Sequence, residues 1–358
     1  MARVRVVMMQ KDEDLLLEPW MLYYGYLFGF ENLTVFDNGS TLPCVTETLA
    51  RFEAAGVTVL RQFAVYADFE RKGDLLGLAI RGWDARGEYD LALPVDCDEF
   101  LALFTAAGLT CARGAIHAYL DTLAGRPEVL AIQTSSYNVP GRPGWFWPAG
   151  ASKRFFTAGT IGTLDQGFHV ATSRKSDAVF LTRLTHLHLH HKPHATVLEH
   201  AHRKLQFRVD VNDLAALRAY NGPGDHLVRH FMRTEAEYLT QFDDVLTFGY
   251  TGFSAILSAL GHRSEMVTVP QPPAPPLHGT VSVRRPSRSD PAGEIVLFDA
   301  EAYLRAHLDV AAIGAPPLEH YLYHGFNEGR AVSDVRDAGR EEPLAWPPLP
   351  AHPRLRTA

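Results

Sequence analysis

The segment YDLALPVDCDEF at residues 89–100 contains the pattern that decides the fold class of this chain. Its first part, Tyr89–Val95, is a mostly apolar run of strand length, and the acidic group Asp96–Glu99 follows at once. Such a run predicts a β-strand that is covered on both faces. Because Asp96 and Asp98 are two positions apart, an extended chain directs both carboxylates to one side. Two carboxylates so placed form an oxygen site for Mg²⁺ or Mn²⁺; the alternative is an acidic turn that caps the next helix.

Three further strand patterns precede this segment, and helical patterns lie between them. The strand patterns cover Val4–Met9, Leu33–Phe36 and Val57–Phe63, and the helical patterns cover Leu15–Phe28, Val45–Ala55 and Leu75–Arg86. Strands that alternate with helices predict an α/β fold with a doubly wound, mostly parallel sheet.

Acidic residues follow three of these four strands. Asp12 and Glu13 follow the first strand, Asp37 follows the second, and Asp96 and Asp98 follow the fourth. Ligands of open α/β sheets bind at the carboxyl ends of the strands. We therefore expect these side chains to share one edge of the sheet and to form a binding site there.

Composition limits the class of protein. The 358 residues carry a formal net charge of -7, with 46% hydrophobic and 21% charged residues, an ordinary globular mixture. An acidic chain lacks the basic surface that a nucleic-acid partner requires. The cysteines, Cys44, Cys97 and Cys111, form no CxxC pair, which indicates a reducing compartment. No run approaches the ~18 apolar residues of a membrane span. We therefore expect a cytoplasmic protein, with peripheral attachment to the inner membrane left open.

Changes in composition divide the chain into four parts. Residues 1–265 contain the patterns of the α/β domain, and the proline-dense stretch Pro270–Pro276 predicts a linker over residues 266–293. Residues 294–333 are compactly patterned and predict a small helical module. Residues 334–358 are rich in proline and charge and are expected to be disordered.

Several motifs occur in a fixed order along the first half: Gln10–Glu13, Pro19-Trp20, Tyr23-Tyr24, Asp37–Ser40 and Asp96–Phe100. In this order they resemble glycosyltransferase family 2, and more closely its bacterial branch with the pattern KNE…W…Y…DNGS…DxDEF. The resemblance covers residues 3–210. It implies a GT-A fold, a UDP-linked nucleotide-sugar donor, Mn²⁺ or Mg²⁺, and inversion at the anomeric carbon. The chain departs from the pattern at Asp12, where asparagine is commoner, and at Cys97.

The resemblance implies roles for individual residues. Asp37 would bind the base or ribose, and Asp96 the ribose or the donor sugar. Asp98 would bind the metal ion, and Glu13 would line the nucleotide pocket. Lys153 could contact the diphosphate, although an ordinary surface charge is an equal alternative.

A run of histidines forms the second notable pattern. His186, His188 and His190 alternate, so a strand would direct them to one side. Histidines so placed can bind Zn²⁺ or another borderline metal; the alternative is a histidine strand packed beside aromatic residues. The segment HLHHK resembles the late histidine element of GT-A enzymes, which reaches the metal of the DxD motif. On that resemblance His188 is the preferred metal ligand and His186 the second choice.

The segment Asp165–His169 resembles the GFH element of the same family. An inverting transfer needs a base that takes the proton of the acceptor hydroxyl, and Asp165 is the nearest candidate. The alternative is an aspartate bonded to the backbone of its own turn. The aromatic group Trp145–Trp147, between prolines and glycines, reads as a loop that stacks on an acceptor sugar or packs as core.

The C-terminal segment resembles a small module, FDxxxYLxxxxDV…PLxHYxxxGxxEGR, that is appended to bacterial enzymes of cell-surface polysaccharide synthesis. It is interpreted as a docking or spacer unit that contacts a membrane or an assembly. The two resemblances together imply an inverting, metal-dependent glycosyltransferase of polysaccharide synthesis that uses a nucleotide-sugar donor and a saccharide or other hydroxyl acceptor. The alternatives are a nucleotidyltransferase, which would be expected to show a glycine-rich loop after the first strand, and a non-catalytic metal- or nucleotide-binding protein.

Overall fold

The computed structural model describes residues 1–269, 281–286 and 293–332. In chain order the strands are β1 (Val4–Gln10), β2 (Leu33–Asp37), β3 (Thr58–Leu60), β4 (Leu91–Pro94), β5 (Glu99–Thr105), β6 (Gly108–Thr110), β7 (Val129–Ile132), β8 (Thr134–Asn138), β9 (Trp145–Ala149), β10 (Lys153–Thr157), β11 (Ile161–Leu164), β12 (Ala171–Ser173), β13 (Val179–Leu181), β14 (Leu184–His188), β15 (Thr247–Gly249), β16 (Ser282–Arg285) and β17 (Glu294–Leu297). The α-helices are α1 (Leu17–Phe28), α2 (Pro43–Ala54), α3 (Tyr66–Glu70), α4 (Lys72–Arg86), α5 (Arg113–Asp121), α6 (His194–Leu205), α7 (Leu214–Ala219), α8 (Val228–Phe231), α9 (Glu235–Thr240), α10 (Gly252–Ala259), α11 (Ala300–Ala306), α12 (Leu308–Ile313) and α13 (Pro317–His320).

A seven-stranded sheet has the order β13-β7-β10-β4-β1-β2-β3. Strands β4, β1, β2 and β3 pair in parallel, so their carboxyl ends share one edge. Strand β10 runs antiparallel to both of its neighbours. The α/β class and the mostly parallel sheet are thereby confirmed.

Alternate residues of β1 pack into two different hydrophobic clusters. Val6 and Met8 join side chains of α1 and α2 on one face, whereas Val7 and Met9 join side chains of α4 on the other. Helices therefore cover both faces of the sheet, as in a doubly wound fold. This double cover explains why the strand reads as a continuous apolar run.

A second, eight-stranded sheet was not predicted. Its order is β17-β16-β15-β9-β8-β14-β5-β6, and its pairings are antiparallel except for β8 with β14. Its strand β5 begins at Glu99, directly after β4 of the first sheet. The acidic group Asp96–Glu99 therefore lies where the chain passes from one sheet to the other.

The helices of residues 194–240 are shorter than the sequence patterns predict. The patterns indicate continuous helices over 198–219 and 225–242, but the structure breaks each of them. Side-chain caps explain the breaks, since Asp213 accepts backbone bonds at the start of α7 and Thr234 does so at the start of α9. A capping residue inside an apolar pattern starts a new helix.

The interpretation of Trp145–Trp147 as a loop is wrong. These residues open strand β9, which pairs with β8 and β15. Trp145 and Phe146 are buried, and Trp147 packs its ring against Tyr137 and Phe242. The apolar content that suggested a stacking loop instead fills the core beneath the second sheet.

The C-terminal segment packs against the body of the protein. Strand β16 lies within the range predicted as a linker and pairs with β15. Tyr303, Leu318 and Tyr321 of the C-terminal helices belong to the same hydrophobic cluster as Trp20 of α1. The stretch Pro270–Pro276 and residues 334–358 lie outside the described residues. Independent folding of residues 1–265 stays a prediction.

Among the described helices, none combines the length and the apolar character that crossing a bilayer requires.

Candidate metal centre

The acidic group after β4 forms a tight turn between the two sheets. The Glu99 amide donates to the Asp96 carbonyl, and the Asp96 amide donates to Glu99 Oε2 at 3.1 Å. The Leu189 amide, just past β14, donates to the Asp98 carbonyl at 2.7 Å. These bonds fix the carboxylates of Asp96 and Asp98 at the carboxyl edge of the parallel strands, beside the histidine strand.

Asp96 is held by two lysines. Lys72 Nζ donates to one carboxylate oxygen and Lys153 Nζ to the other, both at 2.7 Å. Burial alone would raise the pKa of Asp96, but the two ammonium groups hold it below its usual value. Both oxygens therefore carry an ion pair, and Asp96 is a poorer metal ligand than the sequence motif suggests.

Glu99 is fully buried beneath this group. Its Oε1 lies 3.1 Å from Lys153 Nζ and 3.9 Å from His188 Nδ1, and its Oε2 lies 3.9 Å from His186 Nδ1. Burial, followed by the charge of Asp96, raises the pKa of the Glu99 carboxyl. Glu99 thus supports Lys153 from the interior.

Asp98, His188 and His190 form a convergent group in which one ligand atom of each residue lies within 4.8 Å of the others. His188 Nε2 is 3.1 Å from Asp98 Oδ2. Burial would raise the pKa of Asp98, yet the charge and hydrogen bond of His188 hold it well below its usual value. Burial lowers the pKa of His188, but Asp98 outweighs that effect and raises it.

The donor set of this group fits a divalent metal. Bonds of about 2.1 Å place ligand atoms up to about 4.2 Å apart, so small side-chain rotations close the group around an ion. Two imidazoles and one carboxylate suit a borderline ion better than Mg²⁺, which prefers oxygen ligands. Of the two predicted ions, Mn²⁺ is therefore the better fit.

Strand β8 orients the two histidines of this group. Ser135 Oγ lies 3.2 Å from His188 Nδ1, which leaves Nε2 directed at Asp98. The ring of Tyr137 stacks on His190 at 5.1 Å and meets His188 edge-on at 4.9 Å. Such neighbours fix the direction of a metal-binding imidazole.

His186, the second predicted ligand, lies elsewhere. Its ring is fully buried and is not part of the convergent group. Burial lowers the pKa of His186 to about 3, so the ring is neutral. His190, beyond the end of β14, joins His188 and Asp98 in the convergent group instead of His186.

Hydrogen bonds also order the part of the edge for which the sequence predicts a nucleotide. The Asp37 carboxylate accepts from Gln10 Nε2 at 2.9 Å and from the Ser40 amide at 3.2 Å. The Asp12 carboxylate accepts the amides of Thr41 and Leu42, so it fixes the entry to α2. Asp37 is a positioned carboxylate, whereas Asp12 has a structural partner in the backbone.

Glu13 joins the end of β1 to the histidine segment. Lys192 Nζ donates to its two oxygens at 2.7 and 2.5 Å. Burial raises the pKa of Glu13, and the ammonium of Lys192 counters part of that effect. Glu13 therefore lies beside the site with both of its carboxylate oxygens paired to Lys192.

Asp165 and Lys153 meet at one turn. Asp165 Oδ1 accepts the Val170 amide at 2.8 Å and Oδ2 the Gly167 amide at 3.3 Å, as in the turn that the sequence left as an alternative. Lys153 Nζ donates to the Gly167 carbonyl at 2.9 Å and is nearly inaccessible. Catalysis by Asp165 stays a prediction.

The sequence places Lys72 in a polar stretch before strand β4, Arg71–Asp74, but indicates no role for it. A Cβ on the next residue, Gly73, would meet the Leu164 carbonyl at 2.4 Å, so only glycine allows α4 to start against that turn. In the sequence, the only available signal was a lysine next to a glycine in this polar stretch. The contact that gives it meaning, with Asp96, is not visible in the sequence.

No family model matches this sequence, and the search of curated proteins gives no match. Among solved structures, the chain is similar to glucosyl-3-phosphoglycerate synthase from Mycobacterium tuberculosis in complex with Mn²⁺, UDP-glucose and phosphoglyceric acid, at 14% identity and a TM-score of 0.32, over 74% of this chain and 81% of that chain. It is similar to S. aureus TarS 1-349 at 10% identity and a TM-score of 0.32, over 94% of both chains.

A cytidylyltransferase from Leptospira borgpetersenii serovar Hardjo-bovis is similar at 15% identity and a TM-score of 0.25, over 44% of this chain. The match spans 61% of that cytidylyltransferase, and a further match spans 44% of a synthase chain. At these TM-scores the likeness to solved structures carries no information on activity.

Proposed function

We propose that this chain is a metal-dependent glycosyltransferase. It transfers a sugar from a nucleoside-diphosphate donor, UDP-linked, to a hydroxyl of a saccharide or other acceptor. One observation carries the proposal: Asp98, His188 and His190 converge at the carboxyl edge of the parallel strands, beside a second carboxylate, Asp96, that two lysines hold in place. A metal site next to a positioned hydrogen-bond acceptor suits a ligand that has both a diphosphate and sugar hydroxyls.

Each side chain then has a distinct task. Asp98, His188 and His190 hold the metal, which when bound supplies Lewis-acid stabilisation of the departing diphosphate. Asp96 keeps free lone pairs on oxygens that already accept from Lys72 and Lys153, so it can accept hydroxyls of the ribose or donor sugar.

The remaining site residues complete the donor pocket. Asp37, oriented by Gln10, binds the base or ribose, and Glu13 lines the pocket through its pair with Lys192. Lys153 acts on the donor through Asp96, because its ammonium is already bound to that carboxylate.

Inversion requires one displacement at the anomeric carbon with removal of the acceptor proton by a base. We propose Asp165 for that step, on the likeness of residues 165–169 to the GFH element. Rotation of its side chain away from the Val170 amide would free one oxygen for the acceptor hydroxyl.

The acceptor is a glycan of cell-surface polysaccharide synthesis, and the enzyme reaches it from the cytoplasmic side. The C-terminal helices form the contact to a membrane or an assembly.

The full chain, purified and incubated with a panel of UDP-sugars, tests this proposal. We expect release of UDP that stops in EDTA and returns with Mn²⁺. The variant Asp98→Ala should lose this activity, and Asp177→Ala, which removes an exposed carboxylate, should keep it. NMR of the released or transferred sugar should show the opposite anomeric configuration to that of the donor.

Two outcomes would favour the alternatives. Release of pyrophosphate from a nucleoside triphosphate and a sugar 1-phosphate would indicate a nucleotidyltransferase. Binding of Mn²⁺ and UDP-sugars without turnover in the presence of glycan extracts would indicate a non-catalytic binding protein.

A further inference from the structure

Phe168 has an unusual backbone conformation next to the site. Its φ is +60°, and apart from glycines only Asp12 shares a positive φ among the described residues. For a bulky side chain this region of backbone space is disfavoured, and it persists where the surroundings over-determine it. The ring of Phe168 is fully buried. The strained backbone therefore places the Phe168 ring in the interior beside the site.

Two ammonium groups lie against that ring. Lys72 Nζ is 4.4 Å and Lys153 Nζ 5.3 Å from the ring centroid of Phe168. Both distances fall within the range in which a cation is attracted to an aromatic face, and the attraction grows when water is excluded. These are the same two nitrogens that each donate to one oxygen of Asp96 at 2.7 Å.

The turn that contains Phe168 is fixed from two sides. Its carbonyl accepts the Arg154 amide at 2.8 Å, and the preceding carbonyl, of Gly167, accepts from Lys153 Nζ at 2.9 Å. On the other side, the close approach of Gly73 to the Leu164 and Asp165 carbonyls seats the first turn of α4 on it. The ring and both lysines are thus held by the same short segment.

Charge explains why a ring is needed. Lys72 and Lys153 are nearly inaccessible and crowd one carboxylate, so their ammonium groups repel each other. Asp96 and the buried Glu99 balance the two positive charges, and both ammonium groups also lie within 5.3 Å of the ring centroid of Phe168. The negative face of an aromatic ring stabilises both cations there without adding a third acid that would compete for the metal.

We infer that Phe168 is a positioning residue: its ring holds the ammonium groups of Lys72 and Lys153 so that each takes one oxygen of Asp96. Asp96 is thereby kept as an acceptor of sugar hydroxyls, and Asp98 is left as the carboxylate for the metal. This inference rests on the proposed glycosyltransferase function for its effect on turnover, but the geometry that it assigns to the lysines does not.

Three variants of the full chain test it. Phe168→Leu keeps an apolar side chain and the same backbone cost but lacks a ring face, whereas Phe168→Tyr keeps the ring. Phe180→Leu is the matched control, because it removes a ring that faces a different cation, Arg126, at 3.6 Å. Thermal melts first establish that each variant is folded.

Phe168→Leu should lower kcat/KM for hydrolysis of the UDP-sugar by about 10- to 30-fold. Its Kd for Mn²⁺ alone should stay within about twofold, because the metal ligands are untouched. Phe168→Tyr should recover most of the loss, and Phe180→Leu should match the unchanged protein. A uniform loss of stability does not produce this split between turnover and metal affinity.

A second measurement needs no activity. Acetylation of Lys72 and Lys153, followed by mass spectrometry, should be several-fold faster in Phe168→Leu than in Phe168→Tyr or Phe180→Leu. Unchanged labelling in Phe168→Leu would overturn the inference, whatever happens to kcat/KM. Faster labelling in a protein that turns over no nucleotide sugar would support the positioning role and refute the proposed function.

Discussion

Substitutions of two histidines can distinguish the metal site seen in the structure from the one that the sequence pattern of alternating histidines suggests. His190 is exposed and converges with Asp98 and His188, whereas His186 is fully buried and lies outside that group. We therefore expect His190→Ala to weaken Mn²⁺ binding and His186→Leu to leave it nearly unchanged. The sequence, by contrast, favoured His186 as the second metal ligand.

The expected magnitudes follow from the contacts. Loss of a partner that only orients a metal ligand costs about 10- to 100-fold in affinity, so loss of a coordinating ring should cost about 100-fold or more. His190→Ala also removes the stack on Tyr137, worth about 1 kcal/mol of folding stability. In His186→Leu an apolar side chain of similar volume replaces a neutral buried ring, which should change stability by less than about 1.5 kcal/mol.

Isothermal titration of the full chain with Mn²⁺ at pH 7.5 measures both effects. Neutral pH matters because Asp98 raises the pKa of His188, so a proton competes with the metal in more acidic buffer. His226→Ala removes an exposed histidine and serves as the control. If His186→Leu loses the metal and His190→Ala keeps it, the convergent group is not the metal site.

Three further predictions concern the acid groups. Asp98→Ala should lose Mn²⁺-dependent donor binding, measured by titration with UDP; full activity of this variant in EDTA would contradict the metal assignment. Asp165→Asn should leave donor affinity nearly unchanged and lower turnover by about 10²-fold; normal turnover would restrict this residue to its turn. Burial raises the pKa of Glu319 from 4.5 to about 7, so the folded protein binds more protons than the unfolded chain between these values and its stability falls as pH rises through them. Urea unfolding should show that the free energy of unfolding is lower at pH 8 than at pH 5 by up to about 3 kcal/mol. Glu319→Gln should remove this difference, whereas Glu47→Gln, which changes an exposed carboxylate, should keep it. Equal pH dependence of the unfolding free energy in both variants would refute the assignment.

The first sheet could be predicted because its signals are local. Val4–Met9 and Leu33–Phe36 are apolar on every residue or nearly so and end at polar turn residues, which defines strands that helices cover on both faces. Parallel neighbours then bring their carboxyl ends to one edge without any knowledge of side-chain contacts. Asp37 and Asp98 could be placed at that edge in this way.

The second sheet and the lysines could not be predicted, because they depend on distant contacts. Strand β5 pairs with β14, and β14 pairs with β8 in the same sheet. Along the chain, 28 residues (106–133) separate β5 from β8 and 78 residues (106–183) separate it from β14. Lys153 meets Asp96 across 57 positions, and no pattern near either residue indicates the pair. His190 was in the alternation, but its advantage over His186 comes from where β14 ends, and strand boundaries are the weakest part of a sequence pattern.

The alternation of strand β8 links the C-terminal helices to the metal centre. Ser135 faces His188, and the next residue, Ser136, points to the opposite side, where its hydroxyl lies 3.3 Å from that of Tyr323. Successive strand residues point to opposite faces, so any shift in the register of β8 would move both contacts together. Tyr323 is thus set against the same strand that orients the metal-binding histidine. The C-terminal helices therefore help to fix the register of β8, on which the direction of His188 depends.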